Sequence, residues 1–338
     1  MTAGDRGIAR TGWRIRPAGL PHPRPKPKEL AIPLPTPTAP DRPATAEPAP
    51  GRSLQSLRGW LAWGVFVGLH VGCLLVFAVP ATGAALGLFA ALYVTRSLVL
   101  AGGFHRYFSH RAFKTSRWFQ FALGWVGTTA VQGSPLWWAS NHRLHHRHSD
   151  TAADPHSPVA RSAWWAHIGW VLSQEHRGVD WDRVRDLARY PELRWLERWE
   201  AVPPVLLAGL CYLAGGWPGV VWGFVASTVL AYHATFSVNV VCHLFGTRRY
   251  ATPDHSRNNL VMAVAAFGEG WHNNHHHYPS AARAGFRWWE VDATYYALRA
   301  LSWVGLVWDL RQPTPRALAA NLAAGHAARQ QTSPRNAS

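Results

Sequence analysis

The sequence predicts an all-α integral membrane protein: four transmembrane helices carrying an α-helical cytosolic cap that holds a histidine-ligated di-metal site. Three observations predict it. Apolar residues are bunched into nearly uncharged runs of about 20, long enough to cross the ~30 Å hydrocarbon core. The connections PATG (80–83) and AGGWPG (214–219) carry no charge, while the N-terminal, middle and C-terminal segments hold almost all the Arg and Lys, as the positive-inside rule requires. Histidines then gather three times on the side that this topology makes cytoplasmic: in HRYFSH, in HRLHH and in WHNNHHH.

Composition supports a membrane rather than a soluble pair of domains, which 338 residues would otherwise allow. There are 20 Trp, and 34 Lys and Arg face 18 Asp and Glu for a formal charge of +16. Such a balance suits nucleic acid or an anionic membrane surface, and the apolar spans between the basic segments favour the lipid bilayer and no nucleic acid. Cys73, Cys211 and Cys242 all sit in apolar stretches without C-x-x-C spacing and read as packing residues.

Residues 1–57, rich in Pro, Ala, Thr and Arg, are expected to be a disordered cytosolic tail without signal-peptide character; 58–311 form the membrane domain; 312–338 return to a disordered tail. The first span, Trp60 to Val79, ends at Pro80, and its lone His70 reads as a helix-packing residue. The second runs from about Ala84 to Gly103. Arg96 near its far end has two destinations, snorkelling to the interface or reaching the polar site, and the sequence leaves both open. The apolar run Trp118 to Trp138 has the hydropathy of a span, yet one crossing there would put the first two histidine clusters on opposite faces. It is therefore expected to lie in the interface or re-enter. Ala201–Trp217 and Gly219–Val241 are the third and fourth spans, turning at GGWPG.

Imidazole is the commonest neutral metal ligand. In HRLHH, His142, His145 and His146 share a helix face, and His272, His275 and His276 repeat the spacing; each such face suits one metal. His105 and His110 are five apart, about 140° around an ideal α-helix, so either they face different metals or the helix ends between them. Eight imidazoles exceed one four-coordinate zinc site and suit two metals sharing a pocket. All-nitrogen ligation leaves zinc, iron, copper and nickel open. Asp154 and Glu269, beside the clusters, are candidates to orient imidazole N–H groups, whereas Asp150 reads as an ordinary polar cap residue.

HRYFSH, NHRLHHRHSDTAADPHSP and GEGWHNNHHHYP together resemble the histidine boxes of the membrane fatty-acyl desaturases, specifically the Δ9 type, over Trp60 to about Asp309. The resemblance implies two iron ions with O2 as co-substrate, and removal of two hydrogens from neighbouring methylenes to leave a cis double bond. It makes His105, His110, His142, His145, His146, His272, His275 and His276 iron ligands. In NVVCH it adds His243 as a ninth ligand and Asn239 as the holder of a metal-bound water; their i, i+4 spacing places them on one helix face. His277 is extra, and a shift of the ligand pair by one residue stays open. His148, His156, His167, His176, His233 and His255 are assigned supporting or structural places. Tyr93, 12 residues before His105, falls where similar enzymes close the acyl tunnel, though packing or lipid contact is an equal alternative.

The partners so implied are a long-chain acyl substrate and a separate electron donor of ferredoxin, rubredoxin or cytochrome type, since neither terminal region reads as a haem or flavin domain. Acyl-CoA is placed ahead of acyl-lipid, although Ser140, Gln174 and Glu175 stand where acyl-CoA relatives tend to be basic; Arg143, Arg147, Arg161 and Arg177 are possible compensation. The alternatives are a hydroxylase of the same architecture and, from another class, a membrane metal transporter. Only three of the 34 basic residues are Lys, which points to a bacterial inner membrane with the active site on the cytoplasmic side.

Overall fold

The computed structural model describes residues 52–323, with side chains from Trp60 onward. The tails expected before residue 52 and after 323 lie outside the described residues. Helix α1 (Arg52–Cys73) starts six positions earlier than the tail boundary at 57 had placed it and tightens into a short 3₁₀ turn at Leu74–Phe77. Thr82 caps helix α2 (Gly83–Val99), its side chain accepting from the Ala85 amide. The helix then continues unbroken as a π-helical segment, Leu100–Ser109. Helices α3 (Arg117–Thr128) and α4 (Pro135–His148) follow, each opened by a serine cap, Ser116 and Ser134. The cap region adds a π-helical turn at Trp165–Gly169 and helices α5 (Trp170–Leu172), α6 (Arg185–Ala188) and α7 (Pro191–Arg198). Helix α8 (Val202–Pro218), a π-helical segment (Gly219–Ala226) and helix α9 (Ser227–Leu244) bring the chain back to the cap. There α10 (Leu260–Ala265), α11 (His272–His277), α12 (Ala293–Trp303) and α13 (Pro315–Ala319) complete it.

Three helical stretches among the described residues are long and apolar enough to cross a membrane: Trp60–Phe77, Gly83–Ser109 and Val202–Leu244. The last has 43 residues, about twice what one crossing needs, and it is not straight. Gly216 leaves the helical region (φ 59°, ψ −148°) and the chain folds back. A Cβ on Gly219 would press on the Cys211 carbonyl oxygen, and one on Gly223 would lie 3.8 Å from Cys211 Sγ; in a straight helix residues eight apart are separated by ~12 Å. The stretch is therefore a hairpin whose two limbs touch through glycines. Its outer side chains, Val205, Leu210, Leu213 and Trp217 among them, are exposed and apolar, the surface of a protein solvated by lipid.

The apolar run 118–138 does not form one helix. It divides into α3 and the start of α4, separated by a turn in which Val131 (φ 58°) and Gly133 (φ 82°) take left-handed backbone. Twelve residues of α3 reach ~18 Å, short of a crossing. Leu123 on α3 and Leu136 on α4 join Phe104, Phe108, Leu187, Leu193 and Leu196 in the main core cluster.

Neither destination offered for Arg96 is the one it takes. It is 1% exposed, and its guanidinium bonds Thr228 Oγ1 at 2.7 Å, the Thr129 carbonyl at 3.3 Å and the Ser227 hydroxyl. It ties α2 to α9 and to the end of α3. The C-terminal boundary at Arg311 is also corrected: residues 312–323 are placed, because backbone bonds from Ala251 to Asn321 and from Ala323 to Arg249, both 2.8 Å, lash them to the loop after α9. A two-residue antiparallel pairing, Lys114–Thr115 with Val307–Trp308, anchors the segment between α12 and that strap.

Gly219→Ala is expected to cost about 1–3 kcal/mol through the clash in the hairpin, whereas Gly64→Ala, which meets nothing within 4 Å, is expected to be neutral or slightly stabilising. Thermal midpoints of the two variants in one detergent check this; equal midpoints would contradict the close contact.

Candidate metal centre

The π-helical end of α2 brings two histidines five apart onto one face. A π-helix closes i→i+5 bonds, so His105 and His110 come one turn apart on one face, with ring centroids at 5.0 Å. The stated alternatives, different metals or an interrupted helix, both presupposed α geometry. The idea of one helix face for one metal needs correction too. In α4, His142 and His146, one turn apart, join His105, His110 and His275 in one group. His145, rotated ~100° from His146, joins His243, His272 and His276 in a second. Helix α11 divides likewise, His275 to the first group and His272 and His276 to the second. His243 comes from the C-terminal end of α9, its Nε2 3.1 Å from His272 Nε2. All nine histidines proposed from the sequence thus fall into these two groups, whose nitrogens within a group lie within 4.8 Å of one another.

His277 does not join them. Its Nε2 lies 2.7 Å from the Ala317 carbonyl and its ring stacks on Tyr250 at 3.8 Å, so the geometry keeps the pair at His275 and His276. Asn239 belongs to neither group; it lines the cavity beside His105, His142 and His272, and its amide donates weakly to the Ala166 carbonyl at 3.5 Å.

Carboxylates hold the outer nitrogens. Both Asp154 oxygens lie 3.0 Å from His145 Nδ1, and Glu269 contacts His105 Nδ1 while taking a 2.8 Å bond from Arg106. Asp150 is not the plain cap residue it was read as: on a left-handed turn after α4 (φ 61°), its Oδ2 lies 2.8 Å from His243 Nδ1. Asp254 was missed. Its Oδ2 accepts from His276 Nδ1 at 2.6 Å, and the only signal in the sequence was an aspartate beside a histidine, in PDHS. His156 packs against His145 in a tilted arrangement with centroids at 4.4 Å, and His70, His233 and His167 form a separate hydrogen-bonded chain.

The donor set can be tested for its fit to a metal. A neutral imidazole whose Nδ1–H donates to a carboxylate has a bare lone pair on Nε2. Those of His243 and His276 each lie 3.1 Å from His272 Nε2, and His145 Nε2 is 3.4 Å from His276 Nε2. In the first group His275 Nε2 is 2.9 Å from His105 Nε2 and 3.0 Å from His146 Nε2. A single N–H on His275 cannot serve both neighbours, and lone pairs at this distance repel. A cation between them removes the conflict, so the residues fit two nitrogen-ligated metals.

Burial, then the neighbouring imidazoles, holds His110, His142, His146, His272 and His275 well below the ordinary histidine range. Burial also lowers His276, to about 4, against the opposing pull of Asp254. For Asp150 and Glu269 burial would raise the pKa, but His243 and His105 with Arg106 outweigh it and hold both near 2. Neutral, lone-pair-bearing imidazoles are the state that binds metal.

An apolar cavity runs up to these groups, lined by Leu100, Ala101, Trp138, Val238 and Ala266, with Ser97, Thr235, Asn239 and Glu269 as its polar points. Tyr93 lies one α2 turn beyond Ser97; its hydroxyl donates to the Ala265 carbonyl at 2.8 Å and its ring lies 5.8 Å from Phe267. Of the basic residues considered for phosphate, Arg143 is bound to Asp186 at 2.7 Å and Arg161 to Glu175 at 2.7 Å, and Ser140 is buried, accepting from the Asp180 amide.

Comparison with known proteins decides the family: residues 80–305 match the fatty acid desaturase model. The chain belongs to the fatty acid desaturase family. This desaturase is 40% identical over 256 residues to an sn-1 stearoyl-lipid 9-desaturase of Anabaena variabilis, covering 75% of this chain and 93% of that one. It is 37% identical over 269 residues to an acyl-CoA C20 Delta5-desaturase of Anemone leveillei, covering 76% and 85%. It is 38% identical over 259 residues to a palmitoyl-monogalactosyldiacylglycerol delta-7 desaturase of Arabidopsis thaliana, covering 75% and 69%. These relatives differ in head group and bond position, so membership fixes the reaction type more firmly than the substrate.

Asp254→Asn in this desaturase is expected to lower metal affinity about 10–100-fold with the fold intact, measured as metal per chain after dialysis against a competing chelator; unchanged retention would remove Asp254 from the centre. The metal-free protein should also lose stability in acid. Histidines neutral in the fold but free to protonate when unfolded contribute stability that is fully present above about 6.5 and lost as pH falls below it. The depressed Asp150 and Glu269 act in the same direction at lower pH, down to about 2. The thermal midpoint should therefore fall between pH 7 and pH 5, and a rise over that interval would contradict the buried neutral imidazoles.

Proposed function

We propose that this chain is an O2-dependent di-iron desaturase that introduces a cis double bond, at Δ9, into a long fatty-acyl chain esterified to a membrane lipid. The observation that carries the reading is an apolar cavity that reaches the cluster of nine converging imidazoles through His105, His142 and His272. Two iron ions held by His105, His110, His142, His146 and His275 and by His145, His243, His272 and His276 would supply the oxidation that unactivated methylenes require. The chain's own residues do the rest. Leu100, Ala101, Trp138, Val238 and Ala266 line a dry path for the acyl chain. Asp150, Asp154, Asp254 and Glu269 each hold a proton on an outer imidazole nitrogen, which keeps the inner lone pair directed at the centre. Asn239 presents a polar group to the cavity wall beside three histidines, where it would hold a water, and Tyr93, outside that lining and bonded to the Ala265 carbonyl, would close the far end.

The sequence placed acyl-CoA ahead, with four arginines as possible phosphate partners. A CoA phosphate needs uncommitted cations, and Arg143 and Arg161 are already paired with carboxylates, which leaves Arg147 and Arg177 and weakens that choice. The relative with an sn-1 stearoyl-lipid name and a 9 position agrees with the lipid and with Δ9. The hairpin of α8 and α9 together with α1 and α2 makes four crossings. Both uncharged connections then lie on one side, with the Arg-rich cap and the metal centre in the cytoplasm of a bacterial inner membrane. Two electrons per turnover come from a separate acidic carrier of ferredoxin, rubredoxin or cytochrome type.

The test is the fatty-acid profile, by lipid class, of a host making this chain beside its His145→Ala variant, with double bonds located by mass spectrometry. A Δ9 monounsaturated acid appearing first in intact glycerolipids and absent with the variant is the expected result. First appearance in the acyl-CoA pool would overturn the head-group assignment, and hydroxylated acids would replace desaturation by hydroxylation. Metal flux without O2 consumption would replace both by transport. Purified protein should contain about two irons per chain.

A further inference from the structure

We infer that the cap docks into the cytoplasmic leaflet through α10, whose outward face is an acyl-chain-contacting surface rather than a water-facing one. The segment Leu260–Phe267, LVMAVAAF, holds no charged residue. Its Met262 and Ala266 pack with Val238 and Cys242 of α9, while Leu260, Val261 and Val264 point away, 65%, 73% and 73% exposed. Phe245, 61% exposed, adjoins them where Asn259 bonds the Phe245 carbonyl. A run of exposed aliphatic side chains on a six-residue helix is costly in water at ~25 cal/mol per Å².

Two independent observations point to lipid as what covers this face. The first is position. Ala265 is tied by its carbonyl to the Tyr93 hydroxyl, and Tyr93 lies ten residues beyond Gly83, about 15 Å along a span that crosses a ~30 Å core. The face therefore continues the lipid-facing surface of the spans. The second is hydrogen bonding. The last four carbonyls of a helix ordinarily turn to water, but here each has a partner. Met262 O accepts from Ala266 N (2.9 Å), Ala263 O from Gly268 N (2.7 Å), Val264 O from Phe267 N (3.4 Å) and Ala265 O from Tyr93 (2.8 Å). A helix end with no carbonyl left for water is the condition for residence in hydrocarbon. Gly270 makes this possible: its α-hydrogens face the Asn259 carbonyl and the Ala263 amide at a distance no side chain would allow.

This inference rests on the membrane placement proposed above, and its test reads lipid contact rather than activity. The full chain is reconstituted in phosphatidylglycerol–phosphatidylethanolamine vesicles with a benzophenone amino acid at Val264 or, separately, Val261, irradiated, and analysed by mass spectrometry. The same label at Leu213, exposed on α8, and at Pro253, exposed in the cap, supplies the lipid and water references. Phospholipid adducts at Val264 and Val261 within about twofold of Leu213, and roughly tenfold above Pro253, are expected. Adducts at the Pro253 level would overturn the inference, and a crosslinked dimer would assign the face to a second copy of the chain instead. If Leu213 also failed to label, the membrane placement itself would fall, which separates the two failures.

Discussion

Lone pairs directed at one another across about 3 Å are an arrangement that a folded chain reaches only against electrostatic repulsion, and this chain makes it nine imidazoles deep. His145, His243 and His276 each have their outer N–H engaged by an aspartate, so the neutral form of each presents an unprotonated nitrogen inward. The elements around them follow from that constraint. Helix α4 has to give two of its histidines to one group and one to the other, and α9 has to be long enough to bring His243 to α11. The turn after α4 takes left-handed backbone at Asp150 so that its carboxylate reaches back to α9.

The membrane imposes the second constraint, and the two meet in α2. A helix that leaves the bilayer as a regular α-helix would splay His105 and His110 apart; changing to π geometry for its last ten residues brings them together without breaking backbone bonding. Arg96 lies just below that change. A buried guanidinium bonded only to neutral oxygens loses much of its hydration, but here it joins α2, α9 and the end of α3.

Much of this was legible in the residues, for physical reasons. Apolar runs of span length, charge asymmetry between connections and histidines at i, i+3 and i+4 are local patterns, and they pointed to the apolar helices and the three histidine clusters, whereas His243 came from the family resemblance. What escaped depended on tertiary geometry. Nothing in LAGGFHRYFS announces a π-helix. Nothing in a lone aspartate announces which histidine it will meet: Asp154 and Glu269 were found because they sit beside their clusters, while Asp254 reaches a histidine 22 positions away. The strap at 312–323 was misread as tail because its Pro, Ala and Arg composition says little, and its ordering comes from backbone bonds to residues 249 and 251.

The carboxylates are not shared evenly, and this gives the centre a polarity. The second group draws on Asp150, Asp154 and Asp254, each against a different imidazole, whereas the first draws on Glu269, which Arg106 also binds. A carboxylate on the outer nitrogen makes an imidazole the stronger donor, and the cation beside Glu269 offsets part of its charge. Two metals held there would therefore meet unequal surroundings, the second group being richer in negative charge. The cavity meets both groups, through His105 and His142 of the first and His272 of the second. An acyl chain lying along it would approach the two unequal positions together, an arrangement suited to removing two hydrogens from neighbouring carbons one after the other.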